Sequence, residues 1–449
     1  MEKRYRNERI VFLTDYETKE GMMLANSFHA SGIPIEVVSL RDNVPVCKFS
    51  LSVQEFVAGE NCQGRPLYYN EIPIPQEWTV NYGENGLGQI TYLGQARGII
   101  HFLDCEKKYQ VESVDWYDLS GKLFASDHYN YYGHRYARTI YDEAEKAILK
   151  TWYTLEQKEA IVETIELGVI DYLLDGEKKI FTSMLDMLAY FVKQHRERFQ
   201  TIVINSLSTP FFFVNRIQEY IDACYLFWQE PTREDIPGNM KSIFHNSMPK
   251  IKRVYVQDHE AYSKLIALGA DKNIVKELGY VYHFKKENKG IAKSLICTNS
   301  DNLAHIESII QSLPEMEFHI TAITNMSKKL LDLGRYENVK LYPGVKKQQL
   351  ENLFDECDYY LDINYGSEIV NAVEEAFLHN HLLFAFSETI HNKRYVAADN
   401  LYCCEEKERL IETIKQCMVD TIARETRIIL QKQKSGAECA EKFRTLFVK

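Results

Sequence analysis

Val339-Lys-Leu-Tyr-Pro-Gly-Val345, followed by Leu350-Glu-Asn-Leu-Phe-Asp-Glu-Cys-Asp-Tyr-Tyr-Leu-Asp-Ile-Asn364, is the stretch that decides the fold. A short apolar run stops at Pro343-Gly344, as a strand does before a turn. Leu350, Leu353 and Phe354 then recur at helical spacing, and Tyr359–Ile363 returns to a strand. Strands made of continuous apolar runs, alternating with helices, belong to a parallel sheet covered on both faces.

The same rhythm extends in both directions. Lys293–Thr298 and Glu317–Thr324 precede the stretch and His381–Phe386 follows it, so a second α/β series runs from about 290 to 449. It closes in a charged helical tail from about Glu405. The polar segment 283–292 reads as a linker. Before it, Gln200–Asn205, Ala223–Gln229 and Lys252–Asp258 are strands of a first series. That series opens with Ile10–Thr14, a helix over Glu20–Ser31, and Ile35–Leu40.

Between about 45 and 141 the texture differs. Short β-branched and aromatic runs (Pro66–Tyr69, Gln89–Leu93, Gly98–Phe102, Gln110–Tyr117, Lys122–Ser126, Tyr136–Tyr141) are separated by turn residues. Asp118-Leu-Ser-Gly121 is a hairpin turn. An antiparallel meander over 46–141 is therefore expected, inserted into a first lobe made of 1–45 and 142–285, with a second lobe over 290–449. No internal repeat is read. In open parallel sheets ligands bind at the carboxyl ends of the strands, which for two lobes points to a cleft between them.

Composition bounds the function. The chain has 449 residues, 45% of them hydrophobic and 12% aromatic, which is globular. A net charge of −11 argues against a general nucleic-acid binder. The ten cysteines form no Cys-x-x-Cys pair, so structural zinc is not expected, and reduced cysteines fit a cytoplasmic protein. The basic N-terminus carries too short an apolar run for a signal peptide. No stretch is long and apolar enough to span a bilayer, although a place on the membrane surface stays open.

Val339–Val345, Leu350–Asn364, Gly366-Ser-Glu368 and Glu374-Glu-Ala376 together resemble the C-terminal lobe of retaining GT-B glycosyltransferases. Tyr68-Tyr-Asn-Glu-Ile72, Gly98-Ile-Ile-His101, Ser113-Val-Asp-Trp116, Asp127-His-Tyr-Asn130, Phe227-Trp-Gln-Glu230 and Ile236-Pro-Gly-Asn-Met240 narrow this, as do Thr298-Asn-Ser-Asp301 and Leu361-Asp-Ile-Asn364. In order over about 65–390 they resemble the GtfB family. The resemblance implies two Rossmann-type lobes with an inserted meander. It also implies a non-catalytic subunit that stabilises the O-GlcNAc transferase GtfA in a two-plus-two hetero-oligomer. Its acceptor would be the serine-rich repeat adhesin polypeptide, modified before export by the accessory Sec system, with no cofactor of its own.

The residues bear on this directly. A transferase must neutralise a nucleotide diphosphate with cations. Thr298-Asn-Ser-Asp-Asn-Leu-Ala-His305, the turn where active GT-B enzymes place Arg and Lys, holds neither. Glu368 and Glu375 are seven residues apart instead of the usual eight, so Glu368 is equally a residue that complements a helix dipole. The first βα turn, Thr14–Gly21, has one glycine and is no phosphate cradle. The strand ends offer Asn205, Ser206, Gln229, Glu230, Gln257, Asn299, Ser300, Asn325 and Asn364. Such groups suit a neutral, hydroxyl-rich chain, or else cap helices. These nine, with Trp228 and Glu368, are the candidate acceptor-binding set; Trp228 either stacks on a sugar or fills the core. Trp116, His128, Tyr129, Tyr131 and Tyr132 are the candidate partner contacts, since aromatic anchors dominate interfaces. Two alternatives stay open. One is an active GT-B transferase using a UDP-sugar, with Glu368 and Lys328 in donor roles. The other is a scaffold without a ligand site.

Overall fold

The computed structural model describes residues 10–15, 18–41, 50–59, 64–82, 86–103 and 109–448. The basic N-terminal segment and Tyr16-Glu17 of the first βα turn lie outside them. The chain forms two compact units. One comprises residues 1–256, 264–276 and 447–449, and the other comprises 257–263 and 277–446. Among the described residues no helix is long and apolar enough to cross a membrane.

In the second unit six strands line up in the order Val339–Tyr342, Glu317–Thr321, Lys293–Cys297, Tyr359–Asp362, Leu382–Phe386, Leu401–Tyr402, all pairs parallel. Numbered along the chain from Lys293, this is 3-2-1-4-5-6, the Rossmann order. Side chains alternate between two cores. Tyr359, Leu361, Phe384 and Phe386 enter one, and Tyr360, Leu383 and Ala385 enter the other. Burial on both faces is why these strands read as unbroken apolar runs.

The first unit repeats the scheme. Its seven-stranded sheet runs Val275–Glu277, Ile251–Val256, Ala223–Phe227, Thr201–Ile204, Ile10–Thr14, Ile35–Ser39, Leu51–Ser52. The central strand Ile10–Thr14 is parallel to both neighbours. In each unit the strand order reverses beside the first strand. The switch points are therefore Ile10–Thr14 beside Thr201–Ile204, and Lys293–Cys297 beside Tyr359–Asp362.

The inserted sheet is larger than the sequence suggested. Ten antiparallel strands follow one another from Thr79–Tyr82 to Lys179–Phe181. The expected end at 141 is corrected to 181: the strands Ala147–Tyr153, Glu159–Thr164, Val169–Tyr172 and Lys179–Phe181 belong to the meander, not to the α/β lobe.

The sheet also contains a repeat. Val111–Tyr117, Leu123–Tyr129, Arg135–Tyr141 and Ala147–Tyr153 are seven-residue strands, each starting twelve residues after the last and each ending in tyrosine. Every tyrosine is followed by the same turn. Asp118, Asn130, Asp142 and Thr154 donate their amides to the carbonyls of Lys122, His134, Lys146 and Lys158 at 2.8–3.0 Å. Asp118, Asn130 and Asp142 also accept two backbone amides each on Oδ1. The fourth turn residue has positive φ in all four: Gly121, Gly133, Glu145 and Gln157. This is the hairpin loop of a type I turn plus one left-handed residue.

Candidate functional site

The two switch points are where an open α/β sheet can present groups to a ligand. Each is described within its own unit.

In the second unit the first strand ends at Cys297 and leads into Thr298-Asn299-Ser300. Thr298 is fully buried. Its hydroxyl donates to Asn364 Oδ1 (2.9 Å) and accepts from the Ser300 amide (3.0 Å). Asn364, buried at the end of the neighbouring strand, uses its whole carboxamide. Oδ1 also accepts the Gly366 amide (2.9 Å), and Nδ2 donates to Asn299 Oδ1 and Ser367 O, both at 3.3 Å. Asn299, Ser300 and Asn364 of the candidate set thus come together, with Asn364 as a strut between loops. Asn299 is exposed, and Asn325 is exposed in the loop four residues beyond the strand Glu317–Thr321.

His391, which nothing in the sequence singled out, ties this end of the sheet together. Its amide donates to Asp362 Oδ2 (2.7 Å), Nδ1 lies 2.5 Å from Asp362 Oδ1, and Nε2 lies 2.7 Å from Gly366 O. The Asp362 carboxylate, aided by the Gly366 carbonyl, raises the imidazole to about 9. His391 is therefore an imidazolium whose two N–H groups are both engaged inside the protein. Its charge is neutralised by Asp362.

The acidic residues are engaged as well. Glu368 Oε1 accepts the Val373 amide (2.9 Å) in the first turn of the helix Ala372–Leu378. Val370 and Asn371 ahead of it both have positive φ, a costly conformation for a β-branched residue that the surrounding bonds hold in place. Glu374 accepts from Tyr395 Oη (2.9 Å), and Glu375 pairs with Lys285 Nζ (2.6 Å). Glu368 sits where a helix-capping carboxylate sits. Lys328 and Lys329 open the short helix Lys328–Leu331 and are exposed.

In the first unit, Asn205 and Ser206 follow one central strand, and Thr14 and Asp15 end its neighbour. Ser206 Oγ donates to Asp15 Oδ2 (3.0 Å), and Ser208 Oγ donates to the same oxygen. Asn205 Nδ2 donates to Gln229 Oε1 (3.2 Å), and Gln229 Nε2 donates to Glu20 O (3.0 Å). Glu230 Oε2 accepts the Leu207 amide and Trp228 Nε1, both at 3.0 Å. Trp228 is only 3% exposed, so its ring fills the core and is not a stacking surface for a sugar; that expectation is corrected. Gln257, which belongs to the second unit, is buried just after the strand Ile251–Val256. Sequence reasoning missed Asp15 and Ser208; only the polar ends of the preceding apolar strands could have flagged them.

On the inserted sheet the five aromatic and histidine candidates separate. Tyr129 is buried in the cluster of Ile72, Ile90, Ile100, Val111 and Val114, so it is a core residue, not a surface anchor. Trp116 packs on the same cluster and donates Nε1 to Asp127 Oδ2 (2.8 Å). His128 bonds Thr139 Oγ1 (2.9 Å), and burial pushes its imidazole down to about 4. Tyr131 and Tyr132 lie half-buried in the second turn of the repeat, their rings edge to face at 5.9 Å.

Comparison with known proteins follows the same divisions. The GtfB middle-domain family matches residues 78–182, which are the inserted sheet. The GtfB third-domain family matches 184–268, and the GftB/GlyA-F C-terminal domain family matches 294–433. The chain is 32% identical over 413 residues to the UDP-N-acetylglucosamine–peptide N-acetylglucosaminyltransferase stabilizing protein GtfB of Streptococcus gordonii, covering 91% of this chain and 92% of that protein. It is 34% identical to the protein of the same name from Streptococcus parasanguinis, over 85% of this chain and 87% of the other. Among solved structures it superposes on a chain of the GtfA/B complex bound to UDP and GlcNAc with a TM-score of 0.74 and 30% identity, covering 97% and 99% of the two chains. The fold is GT-B-like, and the chain belongs to the GtfB family of N-acetylglucosaminyltransferase stabilizing proteins.

Proposed function

We propose that this chain is the stabilising, non-catalytic subunit of a UDP-N-acetylglucosamine–peptide N-acetylglucosaminyltransferase. In this reading it pairs with a GtfA-type catalytic chain through the inserted sheet and holds the Ser/Thr-rich acceptor polypeptide, a serine-rich adhesin, in the cytoplasm before export. One observation carries the non-catalytic part. At the switch point of the second unit the described residues 298–305 supply no Arg or Lys, and the His391 cation is spent on Asp362. Leaving-group stabilisation by positioned cations is what a nucleotide-sugar transferase cannot do without. The carboxylates of Glu368, Glu374 and Glu375 are likewise bound to groups of the protein itself.

The test is reconstitution with the catalytic chain from the same source. Transfer from UDP-N-acetylglucosamine to a Ser/Thr-rich acceptor is measured with each chain alone and with both. The pair should be active, the catalytic chain alone weakly active or poorly soluble, and this chain alone inactive. Sugar transfer by this chain alone would sink the non-catalytic reading. Full activity and yield of the partner without it would sink the stabilising one.

A further inference from the structure

We infer that the switch point of the first unit is a hydroxyl-reading site, built around Asn205 Oδ1 and Gly21, that accepts hydrogen bonds from a neutral ligand and rejects phosphate. The inference rests on the acceptor-holding reading above and deepens it.

The polarity of the site is fixed by one backbone carbonyl. Glu20 O can only accept, so the Gln229 amide that meets it at 3.0 Å is Nε2. Gln229 Oε1 then faces Asn205, which must offer Nδ2. The remaining atom of the carboxamide, Oδ1, is an acceptor. It is buried and has no hydrogen-bond partner among the described residues. Asn205 as a whole is 6% exposed. Buried polar groups are normally satisfied, and a group that is not requires an explanation. Turning Asn205 over does not remove the problem, because it sets two amide oxygens against each other.

The neighbours have the same polarity. Asp15, also buried, is a carboxylate that receives Ser206 and Ser208, and Glu230 receives Leu207 N and Trp228 Nε1. The groups converging here are acceptors, and none of them is a cation. A phosphate would meet the Asp15 and Glu230 carboxylates, whereas a hydroxyl would find an acceptor waiting.

Gly21 supplies the approach. It stands in the first turn of the helix Lys19–Ala30, where alanine would be the better helix former. A methyl there would lie 3.1 Å from Thr18 Oγ1, 3.7 Å from Asn205 Nδ2 and 3.9 Å from Gln229 Oε1. Its absence leaves the Nδ2 edge of the carboxamide uncrowded.

Hydroxyls could come from seryl side chains or from a sugar already attached to them, and the probes separate the two. Calorimetry on the full-length chain uses a serine-rich peptide, its alanine counterpart, methyl N-acetyl-α-glucosaminide and UDP. Binding of the serine peptide or of the glucosaminide is expected, and whichever binds names the source. Asn205→Leu should weaken that binding about tenfold or more, the loss of one buried hydrogen bond. Its melting temperature should fall modestly, because the substitution also leaves Gln229 Oε1 without its donor. Gly21→Ala should weaken binding in the same direction in a folded protein. Equal binding by wild type and Asn205→Leu would overturn this site alone, as would UDP binding that depends on Asn205. Wild type that binds neither hydroxyl probe would overturn the acceptor-holding reading itself.

Discussion

Gly366 shows what a single hydrogen atom does at the switch point of the second unit. A Cβ at this position would stand 2.0 Å from Asn299 Oδ1 and 2.9 Å from Ser300 Cβ. Asn299 cannot swing away without giving up the bond from Asn364 Nδ2. Gly366→Ala should therefore destabilise the second unit by about 1–3 kcal/mol, the usual cost of overpacking. Adding Asn299→Ala, which removes the blocking oxygen, should recover much of it. Denaturant midpoints of the two single variants and the double variant give the coupling. Simple additivity would mean that the contact does not set the cost. No reading of the sequence could have found this contact, because Gly366 and Asn299 are far apart in the chain. The local cue, Asn-Tyr-Gly-Ser, is an ordinary turn. Trp228 failed for a related reason: its place at the end of a strand is visible in the sequence, but which way its ring faces is not.

At the scale of elements, the twelve-residue repeat explains both a success and a miss. Gly121 advertised the first turn, and the strands on either side of it were read. The third and fourth turns have the same backbone, but Glu145 and Gln157 hold the left-handed position. Their side chains compensate. Glu145 Oε1 accepts the Leu123 amide (2.7 Å), and Gln157 Oε1 accepts from Arg135 Nε (3.1 Å). Without a glycine the turn signal vanished, and the strands from Ala147 onward were assigned to the α/β lobe. The apolar parallel strands, by contrast, were legible almost throughout, since burial on both faces leaves a run no turn chemistry can hide. The repeat also ranks two substitutions. At Gly121 nothing lies within 4 Å of an added Cβ, so Gly121→Ala should cost only the left-handed conformation, about 1 kcal/mol. At Gly133 an added Cβ would lie 2.5 Å from Arg65 O and 3.2 Å from Leu67 N, both backbone. Gly133→Ala should cost clearly more and loosen the segment that carries Tyr68. Urea denaturation of the two variants side by side checks the order, and equal costs would refute it.

For the molecule as a whole, two compact units with separate cores imply that unfolding need not be a single transition. The sequence supplies a built-in way to see this. All four tryptophans, Trp78, Trp116, Trp152 and Trp228, lie in the first unit. Indole fluorescence therefore reports that unit alone, while far-ultraviolet circular dichroism reports both. The second unit has its own handle in His391, which is raised to about 9 by Asp362. A group whose folded value lies above its unfolded value, near 6.5, contributes stability that is fully present below that unfolded value. The contribution is lost as pH rises through about 9. Raising the pH from 6.5 to 9 should then lower the midpoint seen by circular dichroism more than the midpoint seen by fluorescence. His391→Asn, which cannot carry the charge, should remove that extra pH dependence from the dichroism curve and leave the tryptophan curve where it was. Coincident curves that shift together with pH, in both wild type and variant, would show instead that the two units unfold as one and that the His391–Asp362 pair does not govern the stability of the second.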